Sequence, residues 1–164
     1  MQETPLFTFR YYLTVDLLFG HSKLLPSYKK QLKIWRIISV FTMILFIANF
    51  ITLYGNDGWW IPQYILLLLF VMSFLFPLLV KRLVKKQFLM DPVNQEEHEM
   101  KIYEDHLEVS NSVSNSSFQY EGINHVVETP DGVYLFMTEV KAIPIPREAV
   151  SEQALEFLKS KIGR

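Results

Sequence analysis

Residues 37–54 read IISVFTMILFIANFITLY, residues 55–58 read GNDG, and residues 59–80 read WWIPQYILLLLFVMSFLFPLLV. This stretch decides the architecture. A spanning helix needs about 20 mostly apolar residues to cross roughly 30 Å of hydrocarbon. The second run meets that length without a charge, and the first meets it from Ile34 if Arg36 snorkels to the interface. No remaining segment is long enough to cover both helices on all sides. The two runs therefore predict a transmembrane hairpin with spans at about 34–54 and 59–80.

Flanking charge sets the expected orientation. Lys29, Lys30, Lys33 and Arg36 precede or open the first span, and Lys81, Arg82, Lys85 and Lys86 follow the second. The connecting Gly55–Gly58 has no Lys or Arg. The positive-inside rule then puts both termini in the cytoplasm of a multi-pass cell-membrane protein, with the basic residues as inner-leaflet contacts. Tyr54, Trp59, Trp60 and Tyr64 are placed as the outer aromatic belt, and Tyr28 and Trp35 as the inner one. No secretory leader is expected, because 1–33 lacks a continuous apolar core and a small-residue cleavage site.

Ser39, Thr42, Phe46 and Asn49 recur at spacings of three and four, so they form one stripe on the first helix. Counting from the turn centre, Asn49 falls level with Gln63, and Ser39 with Ser73. Asn49 and Gln63 are expected to hydrogen-bond across the hairpin, worth about 0.5–1.5 kcal/mol in a bilayer. Ser39, Thr42, Asn49, Gln63 and Ser73 are read as interhelical packing residues. With Arg36 at the interface, the spans hold no intramembrane acid or base to make a pump or channel. Pro77 is expected to kink the end of the second helix.

The chain carries formal net charge −1, distributed unevenly: ten basic against three acidic residues through Met90, then six against fourteen from Asp91. A basic collar thus borders the bilayer, and an acidic domain lies beyond it. There is no cysteine, which removes disulfides, thiolate metal sites and thiol nucleophiles.

Three regions follow: 1–33, a strand and juxtamembrane helix; 34–86, the hairpin; and 87–164, a small domain. In the first, residues 5–14 read as a short strand. Thr14 caps a helix over Val15–Lys23, which either lies at the interface or packs on the small domain. In the last, alternation marks strands at Glu99–Tyr103, His106–Ser110, Ile123–Thr129, Val133–Met137 and Val140–Ile145. Asn111–Ser117 is a loop or a weak edge strand. Pro130-Asp131-Gly132 is a turn, with Gly132 expected to supply a left-handed dihedral. Ser151 caps a helix from Glu152 to about Ile162, with Leu155, Leu158 and Ile162 on its apolar face. The expected fold is a membrane α-helical hairpin plus a small α+β cytoplasmic domain. That domain is a curled antiparallel sheet, or partial barrel, closed by a C-terminal helix in the manner of pleckstrin-homology (PH) domains.

The layout resembles the YcxB-like family of bacterial membrane proteins. The residues carrying the resemblance are Ile102–Leu107, Tyr120–Ile123, Val127–Thr129, Tyr134–Phe136 and Ile143–Arg147, joined by Tyr12–Asp16 and the two spans. The resemblance implies a two-span anchor and a cytoplasmic PH-related domain. It supplies no catalytic residues.

Chemical constellations are sparse. Glu96, Glu97, His98 and Glu99 are consecutive, so in a strand they point to opposite faces and read as a solvated run rather than a metal site. His21 reads as an ordinary surface histidine. His98, His106 and His125 approach one another only if the sheet curls to bring them together. There is no Gly-x-Ser-x-Gly elbow or phosphate loop. Arg147 is a candidate partner contact, set against a local salt bridge with Glu148 or another acid. The acidic balance disfavours nucleic acid. The expectation is a non-enzymatic interaction module without a cofactor or metal, whose partners are the lipid bilayer and another protein, including a second copy. The alternatives are lipid sensing through the collar and a regulatory or immunity-type subunit of a transporter.

Overall fold

The computed structural model describes residues 4–53 and 60–162, and the side chains of 4–48 and 64–162. The chain divides into two compact units: a mixed α/β unit from Met1–Pro26 and Val84–Arg164, and a helical unit from Ser27–Leu83.

The α/β unit contains β1 (Phe7–Tyr12), α1 (Val15–Leu24), β2 (Glu97–Ile102), β3 (His106–Ser110), β4 (Asn115–Gln119), β5 (His125–Glu128), β6 (Gly132–Phe136), β7 (Ala142–Pro146) and α4 (Glu152–Ile162). The strands form two antiparallel sheets, β1-β2-β3-β4 and β5-β6-β7. The segment before the hairpin is therefore built into the domain after it. Phe7 pairs with Ile102 and Tyr12 with Glu97, and Arg10 faces Glu99 across the ladder at 3.0 Å. The Ser/Asn-rich stretch resolves into a loop followed by an edge strand.

Burial follows the period-two pattern. His98, Met100 and Ile102 of β2 are buried, as is Leu107 of β3. Every residue of β6 is buried, so both faces of this central strand are covered. Val133 and Leu135 join the main core with Ile145, Ala154, Leu155, Leu158 and Ile162. Tyr134 and Phe136 face the other way and pack with Leu17 of α1. This placement accounts for α1, which is the cover for the second face of β5-β6-β7. Of its two expected positions, it takes the one on the domain.

The caps read from sequence are formed. Thr14 Oγ1 accepts from the Leu17 N–H at 3.2 Å, and Ser151 Oγ accepts from the Ala154 N–H at 3.2 Å. Each satisfies a donor that the first helical turn leaves orphaned. The Thr129–Gly132 turn forms too, but for a different reason from the one expected. Gly132 is not left-handed. A Cβ there would strike Leu17 and lie 2.7 Å from the Ile145 carbonyl oxygen, so glycine is needed for room.

The helical unit comprises α2 (Pro26–Leu53), and α3 (Trp60–Met90) continues from it into the other unit. At 1.5 Å per residue they are about 42 and 46 Å long. Within them, Pro26–Ala48 and Tyr64–Met90 are long and apolar enough to cross a membrane. Both helices exceed the apolar runs, so Lys29, Lys30, Lys33, Lys81, Arg82, Lys85 and Lys86 stand on the helices themselves rather than beside them. Pro77 lies inside α3, which continues past it to Met90.

Candidate interaction site

The α/β unit opens a cavity of about 570 Å³ where the chain crosses from the first sheet to the second. A short 3-10 turn over Tyr120–Gly122 makes that crossing. Glu104 and Asp105 reach the cavity from the β2–β3 turn, Tyr120 and Glu121 from the crossing, and Lys161 from the end of α4. Three carboxylates thus face a single ammonium. The Tyr120 hydroxyl donates to the Tyr103 carbonyl at 2.7 Å and to the His106 carbonyl at 3.0 Å, which pins the crossing to the β2–β3 turn. Burial, with Asp105 adding to it, pushes its phenol up to about 12. Asp105 pairs with His106 Nδ1 at 2.6 Å, and that hydrogen bond holds its carboxyl below the usual carboxylate value. His106 lies flat on Tyr103, with ring centroids 4.5 Å apart. The cavity is a fixed, acidic recess suited to a cationic group.

Beside it runs β4, the last strand of its sheet. Among the described residues no strand pairs with its outer side. Asn115, Ser116, Ser117 and Gln119 are exposed. The strand carries no Lys and no Pro, the residues that commonly guard an edge against a further strand.

Arg147, the candidate partner contact, is occupied locally. Its Nε meets Glu128 at 3.3 Å, Nη2 pairs with Glu152, and Nη1 donates to the Val150 carbonyl at 3.1 Å. Lys159 reaches Glu128 at 2.7 Å. These contacts tie α4 to β5, and the partners are Glu128 and Glu152 rather than the neighbouring Glu148.

The histidines differ from expectation. His21 is no ordinary surface residue. It stacks on Tyr134 at 6.1 Å and packs against Phe136 at 5.7 Å, with Nε2 buried and unpartnered. His98 is buried on Tyr11 at 5.6 Å, also with Nε2 unpartnered, while Glu96, Glu97 and Glu99 of the acidic run all reach solvent. Burial pushes both imidazoles below their ordinary value. His106 and His125 stack elsewhere, on Tyr103 and Phe136. Among the described residues no three His, Asp or Glu side chains are grouped to hold a metal ion.

In the helical unit, Ser39 and Ser73 line one cleft, and Thr42 lines another with Phe46 and Phe70. The hydroxyls of Thr42 and Ser73 are spent within their own helices: Thr42 donates to the Ser39 carbonyl at 3.0 Å and Ser73 to that of Phe70 at 2.6 Å. The Asn49–Gln63 pair lies outside the described side chains. Sequence reading missed the aromatic clamp. Phe76 of α3 stacks on both Tyr28 and Trp35 of α2, each at 5.9 Å. Tyr28 and Trp35 are seven residues apart and so share a face, a spacing visible in the sequence. The acidic cavity has no local signal, since its carboxylates come from separate segments.

No curated protein and no solved structure matches the chain. The model of one family, described as YcxB-like protein, matches residues 102–162, from the end of β2 to the last residue of α4. The matched span contains Ile102–Leu107, Tyr120–Ile123 and Ile143–Arg147, the residues that carry the YcxB-like resemblance, and supports that resemblance there.

Proposed function

We propose that this chain is a membrane-anchored interaction module. The α2–α3 hairpin crosses the cell membrane, and a PH-like domain beside the inner leaflet receives a protein partner. The pairing of β1 with β2 carries the topology. These strands flank the hairpin in sequence yet share one ladder, Phe7 to Ile102 through Tyr12 to Glu97. A ladder cannot straddle a bilayer, so the chain must leave and re-enter on one side, as an even number of spans requires. The apolar side chains of α2 and α3 are open, Val40 and Phe74 at 62% and 65% exposure among them. Contiguous apolar surface on that scale needs a cover, and hydrocarbon supplies it. The basic turns at the helix ends favour the cytoplasmic side. The four-plus-three sheet order followed by one helix supports the PH-like reading.

The unpaired β4 edge and the acidic recess support the binding role. An extended segment can add to the edge through main-chain hydrogen bonds, and a Lys or Arg can enter the recess. The chain has no cysteine, so topology can be tested by single additions. Asn56→Cys should react with a membrane-impermeant maleimide in intact cells, and Ser112→Cys only after lysis; the reverse pattern rejects the topology. Partner binding is tested by co-purification in mild detergent, comparing the full chain with Glu104→Lys/Glu121→Lys. Loss of a bound protein from the variant is expected. Equal recovery from both, or none from either, rejects the site.

A further inference from the structure

Arg36 is the basic residue set farthest into the apolar stretch of α2. Between Leu17 and Met90 the sole acidic residue is Asp57, in the connection between the helices. Arginine does not deprotonate in proteins. At 1.5 Å per residue Arg36 stands about 4.5 Å farther along α2 than Lys33, toward the apolar stretch. Snorkelling carries its guanidinium to headgroup depth, and among the described residues of 27–83 there is no carboxylate to meet it.

The surroundings of Arg36 are those of a binding site rather than a bare helix face. It lines a cleft of about 450 Å³ between α2 and α3, together with Trp35, Ser39, Ser73, Phe74 and Pro77. That volume lies within the usual range for small-molecule sites, about 300–1,000 Å³. Trp35 is held there by its stack on Phe76. Pro77 adds a second polar demand. It has no N–H, so the Ser73 carbonyl four residues earlier loses its helical donor. The Ser73 hydroxyl, turned to the Phe70 carbonyl, does not replace it. One wall of the cleft therefore presents a cation, and the other a carbonyl that lacks its regular donor, with apolar surface between.

From this we infer that the cleft binds one anionic glycerophospholipid of the inner leaflet. Its phosphodiester sits on the Arg36 guanidinium, and an acyl chain lies along Val40 and Phe74. The inference rests on the hairpin spanning the membrane, as proposed above. Arginine forks onto phosphate with two parallel hydrogen bonds, which separates this site from the diffuse attraction exerted by the lysines of the collar.

The test uses the full chain in mild detergent, titrated with phosphatidylglycerol or phosphatidylcholine and read by native mass spectrometry. The wild type should retain one phosphatidylglycerol at concentrations where phosphatidylcholine is lost. Arg36→Gln should weaken that retention about tenfold or more, and Arg36→Lys should fall between them. Val40→Trp, which fills the cleft and keeps the charge, should also lose the adduct. Lys33→Gln, one turn away, should retain it. Equal retention by wild type and Arg36→Gln, or equal loss from Lys33→Gln and Arg36→Gln, overturns the site. The maleimide pattern is read separately, so a hairpin that spans without a bound lipid is distinguished from one that does not span.

Discussion

Replacing Gly20 by alanine sets two effects of similar size against each other. Gly20 lies inside α1, where alanine is favoured over glycine by about 1 kcal/mol. A Cβ at this position would collide with the Tyr134 hydroxyl, which is buried and donates to the Leu17 carbonyl at 2.9 Å. The collision costs about 1–3 kcal/mol of overpacking, and loss of the hydrogen bond about 1 kcal/mol more. Gly20→Ala should therefore loosen α1 by a net of about 1–3 kcal/mol. Removing the hydroxyl changes the sign. In a Tyr134→Phe background the nearest remaining atom is the ring carbon Cζ, at 3.4 Å, an ordinary contact. There the same substitution should be neutral or stabilising by up to about 1 kcal/mol, giving a coupling of about 1–4 kcal/mol. Hydrogen exchange of the α1 amides, in the full chain in detergent, reads this directly. Exchange should accelerate about 30-fold for a 2 kcal/mol loss in the wild-type background, and stay level or slow in Tyr134→Phe. An equal effect of Gly20→Ala in both backgrounds would refute the claim that α1 is docked through this contact.

Other expectations follow from the same geometry. His21 and His98 sit below their ordinary 6.5 because burial disfavours the charged form. The unfolded chain then binds protons that the folded chain does not, so stability is full above that value and falls as pH drops through it. Thermal unfolding between about pH 7.5 and 5.5 should show this loss, and His21→Phe/His98→Phe should flatten it. Ser151→Ala removes the acceptor for the Ala154 N–H and should destabilise α4 by about 1 kcal/mol, read by hydrogen exchange of that helix. Arg147→Gln should lower the melting temperature modestly, and high salt should shrink the difference, because the ion pairs with Glu128 and Glu152 are partly exposed.

Some of these features were legible in the residues. Thr14 and Ser151 announced their helices because a hydroxyl before an apolar-periodic run answers a local need of the backbone. The strands of the C-terminal region showed their alternation, and residues 133–137 showed an apolar run. That run did not reveal that β6 is covered on both faces, since a strand and its cover need not be neighbours in sequence. His21 could not be recognised as half-buried without knowing that α1 rests on Tyr134 and Phe136. The basic residues read as flanks stand on helices longer than the apolar runs, because helix length follows hydrogen bonding along the backbone rather than hydropathy.

Determined by the sequence alone were the two apolar runs, their basic borders, the helix caps, the turn and the segmentation into strands. Each depends on contacts within a few residues. Only the tertiary structure decided that β1 joins β2 across the whole hairpin, that the strands of the described residues divide four and three, and that Glu104, Asp105 and Glu121 meet at one recess. Those are long-range pairings, whose register is selected by the apolar surface they bury together, and no local window of sequence contains both partners.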